Sequence, residues 1–408
     1  MEKAKLQKYA ELLVKVGLNV QKGQSVFIEA ALDQPDFVTM AVEECYKAGA
    51  SEVCVDWSHQ AVAKLSSQYQ SLETLSKLKP WAKAKWQFKA ENYSCRLWIE
   101  SEDPDGMKGA DQEKLSKARQ ALYPEIKPFR TALENKHQWC IAAVPGKAWA
   151  KKVFPHLSET DAEEEMWKVI LHTSRADGDD PIGAWKAHND DLDARCAYLN
   201  GLGLKYLEYK SANGTDLTVE LLEDGIFAGG NEKTLQGRVF NPNIPTEEVF
   251  TSPKAGAAEG IVYSTKPLSY MGELIENFSM RFEGGKVVEV KAEKGEELLK
   301  KMVTMDEGAA RLGECALIPY DSPINESGVL FYNTLFDENA SCHFAVGHGF
   351  NECLKGFENL TDEQCKERGI NDSMIHVDFM IGSRDMSIVG ITKDGKRVQI
   401  FKDGTWAF

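Results

Sequence analysis

Long apolar runs are missing from this sequence. No stretch approaches the ~18 consecutive apolar residues of a membrane-spanning helix. The opening residues MEKAKLQKYAELLVKVG are charged throughout, with none of the apolar centre of a signal peptide. A soluble chain that stays in the cytoplasm, without a membrane partner, is therefore expected. Paired cysteines are missing too. The nine cysteines (45, 54, 95, 140, 196, 315, 342, 353 and 365) are odd in number, scattered, and never in a CxxC pair. Neither a disulfide framework nor a thiolate zinc site is suggested, and a reducing cytosol fits. Positive charge is scarce, with 48 Lys and Arg against 63 Asp and Glu for a net charge of −15. That balance argues against nucleic acid and anionic membrane as partners, since both need a basic surface. Several chemical signatures are absent as well. Gly201-Leu202-Gly203 lacks the third glycine of a dinucleotide fingerprint, and there is no P-loop, HExxH or GxSxG. The acidic stretches at 103–106 and 177–180 lack the spacing of a calcium loop.

What is present is the composition of an ordinary globular protein, 43% hydrophobic and 27% charged. At 408 residues the chain exceeds one typical core, so two domains are expected, with a boundary near residue 200. In the first, Leu6, Tyr9, Leu13 and Val16 recur at helical spacing and end at Gly17. SVFIEA reads as a strand. Asp33 and Pro35 open a helix that carries Phe37, Met40, Ala41 and Cys45 on one face, and EVCVDW follows as the next strand. Strand–helix–strand at this pitch implies a parallel sheet, which WIESEDP and QWCIAAVP extend. Residues from about 158 to 200 read as a helical bridge, opened by N-cap candidates around Ser158. From about 205 the apolar period changes to two. Asn213-Gly214, Gly284-Gly285, Asp394-Gly395 and Asp403-Gly404 mark hairpin turns. Residues 1–200 are thus expected as an α/β domain with a parallel sheet and a helical bridge. Residues 201–408 are expected as a mainly antiparallel β domain with inserted helices.

The chemistry concentrates in the second half. His376 and Asp378 lie two apart in the strand-like MIHVDFMIG, so both side chains project to one face. An imidazole and a carboxylate in an apolar strand are costly to bury without compensation. A metal would compensate, and so would a hydrogen-bonded pair on a solvated face. LFDENASCHFAVGHGF presents Asp337, Glu338 and His343 among small residues. Glu314 sits in ARLGECALIP, and Glu247 and Glu248 sit in NIPTEEVFTSP between Pro245 and Pro253. Together these give oxygen and nitrogen ligands suited to zinc, cobalt or manganese, and such carboxylate-rich sites usually hold two hydrolytic metals. His59, His137, His156, His172 and His188 stand singly and read as structural.

At these residues the chain resembles the M29 metallopeptidases, the aminopeptidase T, aminopeptidase S and PepS family. The resemblance runs from KYAELLVKVGLNVQKGQ through IESEDPDGMKG, AWAKKVFP and GTDLTVEL, and is strongest in NPNIPTEEVFTSP, DEGAARLGECALIP, LFDENASCHFAVG and HVDFMIG. It implies a cytosolic, dimeric aminopeptidase of broad specificity with a centre of two divalent metal ions (zinc, cobalt, manganese or magnesium). Its substrates would be peptides with a free N-terminus. Carried over motif by motif, Glu248, Glu314, His343, His376 and Asp378 match metal ligands, and Glu338 matches an acidic position of the same centre. Glu314 would bridge the metals, and Glu338 or Glu314 would handle protons. The resemblance also implies a tyrosine seven residues after His343 on the same helical face, where this chain has Phe350. Other readings are a metal-dependent amidase or phosphoesterase, and a non-catalytic binding protein.

Overall fold

The computed structural model describes all 408 residues, which divide into two compact units. The first comprises residues 1–187 and 231–245, the second 188–230 and 246–408. The cut thus falls inside the Pro181–Gly201 helix rather than at residue 200, and the chain returns once to the first unit. No helix is long and apolar enough to cross a membrane.

The first unit is built on a parallel sheet. Its strands β1 (Ser25–Ala31), β2 (Glu52–Ser58), β3 (Cys95–Glu100) and β4 (Trp139–Ala143) stand in the order β4-β3-β1-β2. The returning segment adds Asn243–Ile244 beside β4 in the same sense. β1 is buried along nearly its whole length, as expected of a central strand covered on both faces. Helix Pro35–Lys47 places Phe37, Met40, Ala41 and Cys45 in the core, on the face that the 3.6-residue period marks. Ser158 caps the helix Glu159–Thr173 by accepting the Asp161 N–H.

The second unit contains two antiparallel sheets. In the nine-stranded one, Leu204–Lys210 and Asp216–Leu221 pair around Gly214, with Lys210 opposite Asp216. Glu273–Glu283 and Lys286–Lys294 pair around Gly284-Gly285, both at positive φ as a tight hairpin requires. The second sheet runs His376–Met380, His343–Gly347, Leu312–Leu317, Val249–Thr251 and Ala228–Gly229. Alternation gives it two different faces. Phe344, Val346 and Phe379 point into a core shared with Leu207, Tyr209, Val219, Phe278 and Met280 of the larger sheet. Tyr209 and Phe344 meet edge-on at 4.8 Å, and Phe278 and Phe379 lie 5.7 Å apart. The other face carries the polar residues, so burial of the aromatic row fixes which way the polar row looks.

Candidate metal centre

Three neighbouring strands of the smaller sheet, and the residue that enters a fourth, present the cluster. His343, Ala345 and Gly347 share one face of their strand. Across the ladder, Ala345 pairs with Asp378 on one side and Glu314 on the other, and Gly347 pairs with His376. Small side chains therefore stand where the partner strands carry ligand-type groups, and they leave room above the sheet. A bulge between Leu312 and Glu314 shifts the register there. Gly313 and Gly347 make this geometry attainable. A Cβ on Gly313 would come within 2.3 Å of the His348 carbonyl, and one on Gly347, at φ +104°, within 2.0 Å of the Ile375 carbonyl. Glu248 enters from the residue just before the Val249–Thr251 strand.

The side chains converge in two triads that share a member. Ligand atoms of Glu248, Glu314 and His343 all lie within 4.8 Å of one another, and so do those of Glu314, His376 and Asp378. Glu314 Oε2 is 3.2 Å from His376 Nε2 and 3.8 Å from His343 Nε2. Glu248 Oε2 is 3.5 Å from His343 Nε2, and Asp378 Oδ1 is 3.1 Å from His376 Nε2. Both imidazoles are anchored from behind. His343 Nδ1 donates to the Glu338 carbonyl at 2.8 Å and His376 Nδ1 to the His348 carbonyl at 2.7 Å. With the proton on Nδ1, each Nε2 lone pair faces carboxylate oxygens, the arrangement of a metal-binding histidine with its outer hydrogen bond.

Electrostatics point the same way. Burial, then repulsion from Glu314 and Asp378, pushes the Glu248 carboxyl well above its ordinary range. Glu338 is pushed well above it by burial and then by Asp378, Glu248 and Glu314. Burial opposes charging of His376, yet Asp378 and Glu314 beside the ring raise its pKa well above the usual imidazole value. For Asp378, burial is outweighed by His376, which holds the carboxyl down to about 2. Asp378 Oδ1 nevertheless accepts no hydrogen bond of good geometry, although His376 Nε2 lies close by. Buried carboxylates that repel one another, two inward imidazole nitrogens and an orphaned carboxylate oxygen form a donor set that fits divalent cations.

A model of the thermophilic metalloprotease (M29) family matches residues 2–406. This chain belongs to the M29 metalloproteases. It is 43% identical over 405 residues to aminopeptidase AmpS of Bacillus subtilis (strain 168), covering 99% of this chain and 98% of that protein. The structure of wild-type AmpT from Thermus thermophilus superposes with a TM-score of 0.91 at 40% identity, covering 100% of both chains. A 2,5-dihydroxypyridine dioxygenase from Pseudomonas putida KT2440 shares the fold alone, at a TM-score of 0.54 and 13% identity. The scaffold thus does not dictate the chemistry; the site does. As an M29 member the protein is a metalloprotease, a hydrolase that uses divalent metal.

Not every residue expected from sequence lies in the triads. The Asp337 carboxylate turns away to accept the N–H groups of Phe331 and Asn333, and burial pushes it up to about 6. Glu338 belongs through its charge and its carbonyl, while Glu247 faces His188 at 3.9 Å. The helical relation drawn between His343 and Phe350 is wrong. His343–Gly347 is a strand, and Phe350 follows in extended backbone just before the 3-10 turn Asn351–Cys353. Phe350 still reaches the site, its ring 4.8 Å from His376 and 5.5 Å from Phe250, packing on a ligand-type residue rather than offering an atom. Sequence reasoning missed Ala345, Gly347 and Gly313, whose importance exists only in the register.

Proposed function

We propose that this M29 metalloprotease is an aminopeptidase that removes the first residue of peptides at a centre of two divalent metals. One observation carries the two-metal reading: Glu314 belongs to both triads, and a single oxygen of it faces both histidines. Glu248, Glu314 and His343 would hold one ion, and Glu314, His376 and Asp378 the other, with Glu314 as the bridge. Divalent ions there supply a water of lowered pKa and Lewis acidity toward the scissile carbonyl.

The chain's own residues do the rest. Asp378 Oδ1 accepts no hydrogen bond of good geometry, so that oxygen is available as a ligand. Glu338 or Glu314 would take a proton from the attacking water and return it to the leaving amine. The acidic cluster attracts the ammonium of a free peptide N-terminus, which favours exopeptidase action. Zinc, cobalt, manganese and magnesium all suit oxygen-rich sites with imidazole. A cytoplasmic homodimer is the working form we infer, with the site-bearing β unit as the metallopeptidase domain.

An aminoacyl-p-nitroanilide assay on the chelator-stripped chain, with and without added zinc or cobalt, tests this. Metal should restore hydrolysis, and N-acetylation of the substrate should abolish it. Equal turnover of the acetylated compound would point to an amidase instead.

A further inference from the structure

Glu248 and Glu338 come from segments that no strand holds in place. Residues 246–248 precede the Val249–Thr251 strand, and Glu338–Ala340 is a single turn of 3-10 helix. One buried amide joins the two. Asn339 is fully enclosed; its Oδ1 accepts the Glu247 N–H at 2.8 Å and faces the Thr246 hydroxyl at 3.5 Å. Its Nδ2 donates to the Leu335 carbonyl at 3.1 Å, which fixes the orientation of the amide. Asn339 follows Glu338 directly, and Glu247 directly precedes Glu248, so the staple lies one residue from a cluster carboxylate on each side. The far side of the same segment is held as well. His188 Nε2, carrying its proton, donates to the Thr246 carbonyl at 2.8 Å. Residues 246–248 are thus held between a buried amide and a half-buried imidazole, neither among the ligand-type atoms.

We propose that Asn339 and His188 are positioning residues of the metal centre, setting Glu248 at its distance from Glu314 and His343 and registering it against Glu338. This rests on the metal reading above. It gives His188, a solitary histidine in the sequence, a defined task. Repelling carboxylates would spread apart if their backbones were free to move, and outer hydrogen bonds are what keep such ligands preorganised.

Zinc titrated by calorimetry into the chelator-stripped full-length chain, with a competing chelator and well below the melting temperature, tests the idea. Asn339→Ala and His188→Ala should each weaken zinc binding ~10–100-fold, as loss of an outer-shell partner does. His188→Gln can place an amide N–H where Nε2 stands, and should recover affinity to within about threefold of the unsubstituted chain. Metal-free melting temperatures are measured alongside. If Asn339→Ala and His188→Ala lower the melting temperature but bind zinc as the unsubstituted chain does, the residues merely hold the fold and the proposal falls. It falls for His188 if His188→Gln binds as weakly as His188→Ala. Should Asn339→Ala fail to fold, the His188 pair decides by the same criteria. An unsubstituted chain that takes up no zinc overturns the metal reading along with this one; intact uptake with unaffected variants overturns this one alone.

Discussion

Glu314 is the residue on which the site closes, because one of its oxygens lies between two imidazole nitrogens at 3.2 and 3.8 Å. Replacing it by Gln keeps the volume and removes the charge. Each inward Nε2 then faces a neutral amide, and the repulsion that raises Glu248 and Glu338 is relieved. The metal-free fold should therefore be no less stable, while kcat falls at least ~100-fold, on the scale of losing a major electrostatic group. A Glu314→Gln enzyme that keeps more than about half its rate would remove the bridge from the mechanism. His59 is the control. It is exposed at the start of the Gln60–Tyr69 helix, and its side chain makes no cap hydrogen bond, so His59→Gln should leave kcat and melting temperature unchanged. Asp337 shows the opposite lesson. It neighbours Glu338 in a motif-rich stretch, yet its carboxylate satisfies two backbone N–H groups, so its substitution should cost stability before it costs turnover.

At the scale of elements, the site is a consequence of alternation. Phe344, Val346 and Phe379 are buried on the core face, each contributing about 1.5–3 kcal/mol on burial. That commitment leaves His343, Ala345 and Asp378 on the other face. Ala345→Val adds bulk between Glu314 and Asp378, and should reduce zinc uptake by at least about half while the fold survives overpacking of ~1–3 kcal/mol. Val346→Ala, one residue along on the core face, should do the reverse, lowering the melting temperature and leaving zinc uptake intact. Zinc calorimetry beside thermal melts reads both, and equal effects from the two would contradict the two-faced strand. The same alternation explains what was legible beforehand. HVD betrays itself because a charged pair at spacing two within an apolar run shares one face and must be compensated there, and the hairpin at 284–285 because its two-residue turn demands positive φ. The stretch from Cys342 to Phe350 was not legible: small and apolar residues fit helix and strand periods equally over so few positions. Nor was the return of residues 231–245 to the first unit, which rests on a two-residue strand with no local signal. Ala345 and Gly347 mean nothing until pairing sets them opposite Asp378 and His376.

At the scale of the whole molecule, the cluster writes itself into the pH dependence of stability. Glu248 and Glu338 have folded pKa values raised above those of the unfolded chain, chiefly by burial, and burial takes Asp337 up to about 6. His376 is raised as well, because Asp378 and Glu314 outweigh its burial. All four groups hold protons more tightly folded than unfolded. Their contribution to stability is complete below the unfolded values, ~4 for carboxyls and ~6.5 for imidazole, and is lost as pH rises through the folded values. Asp378 has the opposite sign. Its folded value of about 2 means that its contribution is present above the ordinary carboxylate range and lost only in strong acid. The metal-stripped chain should accordingly be most stable in mild acid, and its melting temperature should fall by about 5 °C or more between pH 5 and pH 8. Divalent ions bind the deprotonated ligands, so saturating zinc should stabilise the chain increasingly as pH rises and flatten or reverse that slope. The net charge of −15 produces a decline of its own through general repulsion. Glu338→Gln separates the two, since it deletes one raised group and changes the total charge by one unit. Differential scanning calorimetry of both chains, stripped and zinc-loaded, makes the comparison. A shallower decline in stripped Glu338→Gln than in the unsubstituted chain is the expected result. Identical slopes, or a stripped chain that gains stability toward pH 8, would mean that the carboxylates do not strain the metal-free fold as their burial and spacing require.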